Sequence, residues 1–151
     1  MSTDWQKIEA GELKHSSVHH LMAVHQLLTE QGYARTTDIS KKLNITRGSV
    51  SITLSRLEES NFIKFDANKH ISLTKKGQKI VNDVLHKRKI LSEFFIECLQ
   101  MEEHEALKCA CRMEHVISQE VLKRLESFAG FCRENVVSSP EFQTFKPLLS
   151  S

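Results

Sequence analysis

The chain has 151 residues, 40% hydrophobic and 26% charged, with a formal net charge of +2. That is enough for one domain or two small ones, and no stretch approaches the roughly 20 apolar residues that span a bilayer. The opening MSTDWQKIEAGELKH lacks the apolar centre of a secretory signal, so the sequence reads as cytoplasmic, without membrane association.

Four cysteines (Cys98, Cys109, Cys111, Cys132) are too few and too irregular for a disulfide framework, and in a reducing compartment they are buried thiols or ligands. Of eight histidines, four cluster early, at His15, His19, His20 and His25. Charge is segregated: residues 35–89 carry 13 Lys and Arg against 5 Asp and Glu, a local balance of +8, and the remainder carries −6. A basic segment followed by an acidic one assigns the first to a polyanion and the second to another task.

In chain order, residues 16–31, SSVHHLMAVHQLLTEQ, read as a helix. Ser16 or Ser17 is its N-cap, Leu21, Val24 and Leu28 its apolar stripe, and Gly32 its stop. His15, His19 and Met22 fall off that stripe. TTDISKKLNI predicts a short helix with Ile39 and Leu43 inward, broken at Asn44. Thr46 caps the next helix, 47–61, where Val50, Leu54 and Leu57 repeat at helical spacing. FIKF (62–65) and HISLT (70–74) flank DANK as a β-hairpin. Helix, helix-turn-helix and hairpin together make a winged helix.

Lys75 to about Leu99 reads as one long helix, and a further helix is expected from about His104 to Phe128. Gly130, Ser138, Ser139 and Pro140 mark a loosely structured tail. The expected fold is mainly α: a winged helix-turn-helix with a two-stranded wing, then a helical dimerisation domain. The expected divisions are an extension at 1–15, the winged helix at 16–76, the helical domain at 77–130 and the tail at 131–151. Two amphipathic helices with little to cover them imply a partner, and a homodimer is the simplest one.

A DNA-reading helix needs small polar residues in its first turn so that its backbone approaches the duplex. Thr46, Arg47, Gly48, Ser49, Ser51, Ile52 and Thr53 stand there, and Arg47 and Arg56 are available to phosphates or bases. Lys69 and His70 lie near the wing tip, and Lys41 and Lys42 are positioned for flanking phosphates. A winged helix also serves as a protein-binding module, but the charge segregation favours double-stranded DNA.

In CRMEHVIS (111–118), Cys111, Glu114 and His115 are spaced three and four apart and share one face of a helix. On their own they are either half of a metal site or a buried thiol with two solvated polar groups. Cys109 lies nearly opposite Cys111 and reads as packing, and Cys98 fits the stripe of the long helix.

The stretches GYARTTDISKKLNITRGSVSITLSRLEESNFI, ISLTKKGQKI and ACRMEHVISQEVLKRL resemble the diphtheria toxin repressor and manganese transport regulator family over roughly residues 16–130. The resemblance implies dimeric repressors that bind palindromic operators when loaded with ferrous or manganous ion, here in a two-domain form. It implies a principal metal site from His19, Cys111, Glu114 and His115, although the family commonly has Met or Asp at the first position. It also marks a departure. Where the linking helix of the family carries a His and a Glu, this chain has Arg88 and Ser92, and a further family His is here Leu107. The second metal position is therefore lost, or rebuilt from Met22, His86, Cys98 or Cys109, with Glu93 a further option.

A thiolate, two imidazoles and a carboxylate suit Fe(II), then Zn(II), better than Mn(II), which prefers oxygen. The expected function is a metal-responsive repressor of metal-uptake genes, with no enzymatic activity. Alternatives are a metal-independent winged-helix regulator, an iron–sulfur, haem or redox sensor on the same fold, a protein-binding winged helix, and a small zinc enzyme. No further acid–base motif supports the last.

Overall fold

The computed structural model of the chain describes residues 13–150, so most of the expected N-terminal extension lies outside the described residues. The chain divides into two compact units, Met1–Asp83 and Val84–Ser151, with the division inside one helix.

The first unit opens with α1, His15–Gln31. Its N-cap is Lys14, with no side-chain cap, so Ser16 and Ser17 lie inside the helix and not before it. Gly32 ends it in the left-handed conformation (φ 81°), its N–H donating to the Leu28 carbonyl. Only glycine adopts that conformation without strain. Met22 is buried beside Leu21, Ala23 and Val24, and Leu27, not Leu28, completes the buried face. The helix is enclosed on several sides because α2, α3 and β2 all pack on it.

Helix α2, Thr36–Leu43, ends at Asn44 with φ 54°. Helix α3, Arg47–Glu59, begins at Thr46, whose side chain accepts from the Ser49 N–H. This is the N-cap that the sequence predicts. Strands β1, Ile63–Phe65, and β2, Ile71–Leu73, pair antiparallel with Lys64 opposite Ser72. Leu21, Val24, Ile39, Val50, Leu54, Leu57, Phe62, Ile63 and Ile71 form the core beneath them. Helix α4, Lys75–Glu97, follows at once. Thr74 accepts from the Gly77 N–H and donates to the Asn61 carbonyl at 2.7 Å, tying the helix start to the hairpin.

In the second unit the expected long helix is two. Helix α5 is Glu103–Met113 and α6 is Gln119–Phe131. Ser118 caps α6 by accepting from the Val121 N–H, and the β-branched pair Val116–Ile117 precedes it. A strong N-cap after two poor helix formers breaks the helix more readily than it continues. Ile90, Leu91, Phe95, Ala106, Ala110, Ile117 and Leu122 form the core of the unit, and Cys98, Ala129 and Cys132 a smaller cluster. The expected loose tail is ordered: a π-helical turn at Cys132–Val136, α7 at Pro140–Phe145 capped by Ser139, and a 3₁₀ turn at Lys146–Ser150. Cys132 and Phe142 are buried in it.

Candidate metal centre and DNA-reading face

The break between α5 and α6 falls inside CRMEHVIS. Cys111 is in the last turn of α5, Glu114 is its C-cap, and His115 lies in the turn beyond. The α-helix expected to carry all three ends at Met113, so Glu114 and His115 follow its end, with helical backbone continuing at Glu114.

Glu114 is the centre of the group. Its side chain is 1% exposed, and Arg88 on α4 donates to both its oxygens, Nε at 2.8 Å and Nη2 at 3.0 Å. The Arg88 Nη2 also lies 3.6 Å from the Cys111 Sγ. The His115 Nε2 is 3.5 Å from a Glu114 oxygen, and the Lys87 ammonium is 3.5 Å from the Glu114 carbonyl. The Glu114 carboxylate, and after it the Cys111 sulfur, holds the Arg88 guanidinium above its ordinary range, against the opposing effect of burial. A bidentate guanidinium–carboxylate pair of this kind is among the strongest polar contacts a protein makes.

These residues suit a divalent ion in donor type, since thiolate, carboxylate and imidazole all bind late first-row metals. A carboxylate offers about four lone-pair sites, of which Arg88 uses two. Metal-binding carboxylates are commonly hydrogen-bonded behind the metal, and the Arg88 bonds to Glu114 are compatible with that arrangement. The side chain that the sequence presents as a missing ligand is thus a built-in cation. A buried carboxylate requires a counter-charge, and Arg88 supplies it.

His19, the fourth residue of the expected set, belongs to the first unit, where its Nε2 lies 3.3 Å from the His15 Nε2. His20 is buried and donates from Nδ1 to the Ser16 carbonyl at 2.6 Å, a structural role. The residues named for a rebuilt second position are dispersed. Met22 is in the first unit's core and His86 is exposed on α4. Cys98 clusters with Cys132, and Cys109 packs against the second unit's core. Burial, and then the neighbouring Cys132 thiol, push Cys98 up to about 11.

On the first unit, Arg47, Gly48, Ser49, Ser51, Ile52 and Arg56 are exposed along α3, Ile52 at 58%. A Cβ built on Gly48 meets nothing within 4 Å, and its φ is not one that demands glycine. Neither the packing nor the backbone of this chain requires Gly48 to be glycine, and its lack of a side chain leaves the backbone open to close approach from outside. The wing tip is ordered by Asp66, which accepts from the Asn68 and His70 N–H groups at 2.8 Å. The His70 backbone bond is the main cause holding the Asp66 carboxyl below its usual range. Lys69 sits there with φ 62°, exposed, and Arg35 lies 2.9 Å from His70. Lys42 is held by Glu30 at 2.9 Å.

A helix with exposed Arg47 and Arg56, a short wing and a following helical unit define a winged-helix DNA-binding regulator. Residues 13–71 match the family described as iron dependent repressor, N-terminal DNA binding domain, and residues 74–143 match its metal binding and dimerisation domain. The chain belongs to the iron-dependent repressor family, whose members are transcriptional repressors and not enzymes. The HTH-type transcriptional regulator MJ0568 of Methanocaldococcus jannaschii is 33% identical over 102 residues, 68% of this chain and 82% of its own length. The regulator MntR of Shouchella clausii is 26% identical over 116 residues, 77% and 80% of the two chains. The crystal structure of T. acidophilum IdeR superposes with a TM-score of 0.67 at 24% identity, over 75% of this chain and 53% of that one. This chain therefore spans about half the length of that IdeR. Among the described residues no helix is long and apolar enough to cross a membrane.

Proposed function

We propose that the chain is a metal-responsive repressor that binds a palindromic DNA operator as a homodimer in the cytoplasm and controls metal-uptake genes. The observation that carries this reading is the gathering of Cys111, Glu114 and His115 at the end of α5, inside the segment matched to a metal binding and dimerisation domain. His19, Cys111, Glu114 and His115 are the proposed ligands, with Fe(II) as the first choice, then Zn(II), then Mn(II). When bound, the ion supplies a divalent charge to a set of donors drawn from distant parts of the sequence. Arg88 keeps the Glu114 carboxylate oriented and ionised, and Cys111 and His115 flank it.

Thr46, Arg47, Gly48, Ser49, Ser51, Ile52, Thr53 and Arg56 form the proposed reading surface in the major groove, with Lys69 on the backbone from the wing. Val116 (74% exposed), Phe128, Phe131 and Phe145 leave apolar surface on the second unit, which supports pairing with a second copy. The test is binding of the full chain to duplexes selected from a random pool, with Fe(II) or Zn(II) and with chelator. Metal is expected to tighten binding at least tenfold, and equal affinity in both conditions overturns the reading.

A second reading has one observation behind it. Arg88 already neutralises Glu114, so a metal-independent regulator on the same fold is chemically self-sufficient. Cys111→Ala and His115→Ala separate the two, because only the metal-responsive protein loses DNA binding with them.

A further inference from the structure

Helix α1 begins HSSVH, and its first and fifth residues, His15 and His19, are one turn apart. Their Nε2 atoms lie 3.3 Å apart, with ring centroids at 4.4 Å and planes at 71°. Two imidazoles on one tetrahedral ion, at metal–nitrogen distances of about 2.0–2.1 Å, place their nitrogens about 3.3 Å from each other. Histidines four apart on a helix are a recurrent bidentate grip on zinc-like ions. His15 is exposed and His19 half-buried, so an ion reaches the pair from solvent.

We infer that His15 and His19 together chelate one divalent late first-row ion through their Nε2 atoms, making His15 a ligand alongside His19. The inference rests on the proposed function for the use of His19 in sensing, but the chelate itself is a property of α1. An ion bound there needs a lone pair from each Nε2, so it takes the place of the hydrogen bond the two nitrogens make at 3.3 Å. A further imidazole beside those of His19 and His115 also shifts selectivity, since nitrogen donors favour Fe(II), Co(II), Ni(II) and Zn(II) over Mn(II). The other two histidines of the helix differ. His20 is buried on the Ser16 carbonyl, and His25 has no histidine four residues away.

The experiment is anaerobic Co(II) titration of the full chain, read by the visible d–d absorption and by chelator competition. It compares wild type with His15→Ala, His15→Gln, His19→Ala, the His15→Ala/His19→Ala double variant and His25→Ala, with helix content checked by circular dichroism. Loss of either His15 or His19 is expected to weaken Co(II) binding by about tenfold or more. The double variant should fall little further, because one missing ligand already spoils the shared ion. His25→Ala should match wild type. Co(II) affinity of both His15 variants within twofold of wild type overturns the inference, as does equal loss in His25→Ala, which marks surface binding only. Metal-independent operator binding with His15-dependent Co(II) binding overturns the proposed switch and leaves the chelate standing. Metal-responsive operator binding with Co(II) affinity unchanged in His15→Ala does the reverse.

Discussion

Arg88 and Glu114, 26 residues apart, meet as a bidentate ion pair with the carboxylate side chain 1% exposed. Arg88 lies three residues before Leu91 and seven before Phe95 on α4, and both of these are in the apolar core. The pair is thus set by the packing of α4 on α5. Breaking a buried pair by removing one partner costs far more than the pair contributes, because a charge is left without solvation.

Arg88→Met should accordingly lower unfolding free energy by about 3 kcal/mol, measured by urea denaturation without metal. Adding Glu114→Leu in the same chain should recover most of that loss. Equal stability of Arg88→Met and wild type would show that Glu114 is served by another group.

Gly48→Ala separates reading from folding. The added Cβ enters open space, so thermal stability should be unchanged or slightly raised. Duplex binding should weaken roughly tenfold, the scale of one lost contact of about 1–3 kcal/mol. Arg47→Ala should also weaken binding, and if its contact is to phosphate it should lower the salt dependence by about one unit.

Gly77→Ala has the opposite character. A Cβ there would lie 2.1 Å from the Phe62 backbone carbonyl, where no flexible side chain can yield. The expected result is a loss of about 1–3 kcal/mol or more as α4 is pushed off the hairpin, read as a lower melting temperature. Unchanged stability would mean that the hairpin moves freely.

Cys98 gives a pH signature. Burial, and then Cys132, raise its thiol from 9.0 to about 11, so the folded state holds the proton longer than the unfolded chain does. Stability from this group is full below pH 9 and declines as pH rises toward 11. Cys98→Ala should flatten that decline, and at pH 8 iodoacetamide should modify the half-buried Cys109 and Cys111 before Cys98.

The winged helix was legible because its signals are local. Thr46 as a cap, Asn44 as a stop and the alternation around Ile71 and Leu73 each act within a few residues. Local signals also misled. Periodicity carried one helix through Val116, Ile117 and Ser118, although the Ser118 cap was there to be read. The closeness of Cys111, Glu114 and His115 is legible from their spacing, but the end of the helix at Met113 is not. Met22 falls off the apolar stripe in sequence yet is buried, because a helix packed on several sides buries more than one narrow stripe. The role of Arg88 was invisible for a different reason. Its partner lies far away in sequence, and only the fold brings a buried carboxylate against it.

A coordinated ion departs when a competitor outbids its ligands, whereas a side chain is tethered by its own backbone. Arg88 stays with Glu114 at any metal concentration, so starvation for metal never leaves a bare charge inside the second unit. On the proposed reading, loss of the ion leaves the charge balance of the second unit intact, so the metal-free chain should stay folded and ready to rebind.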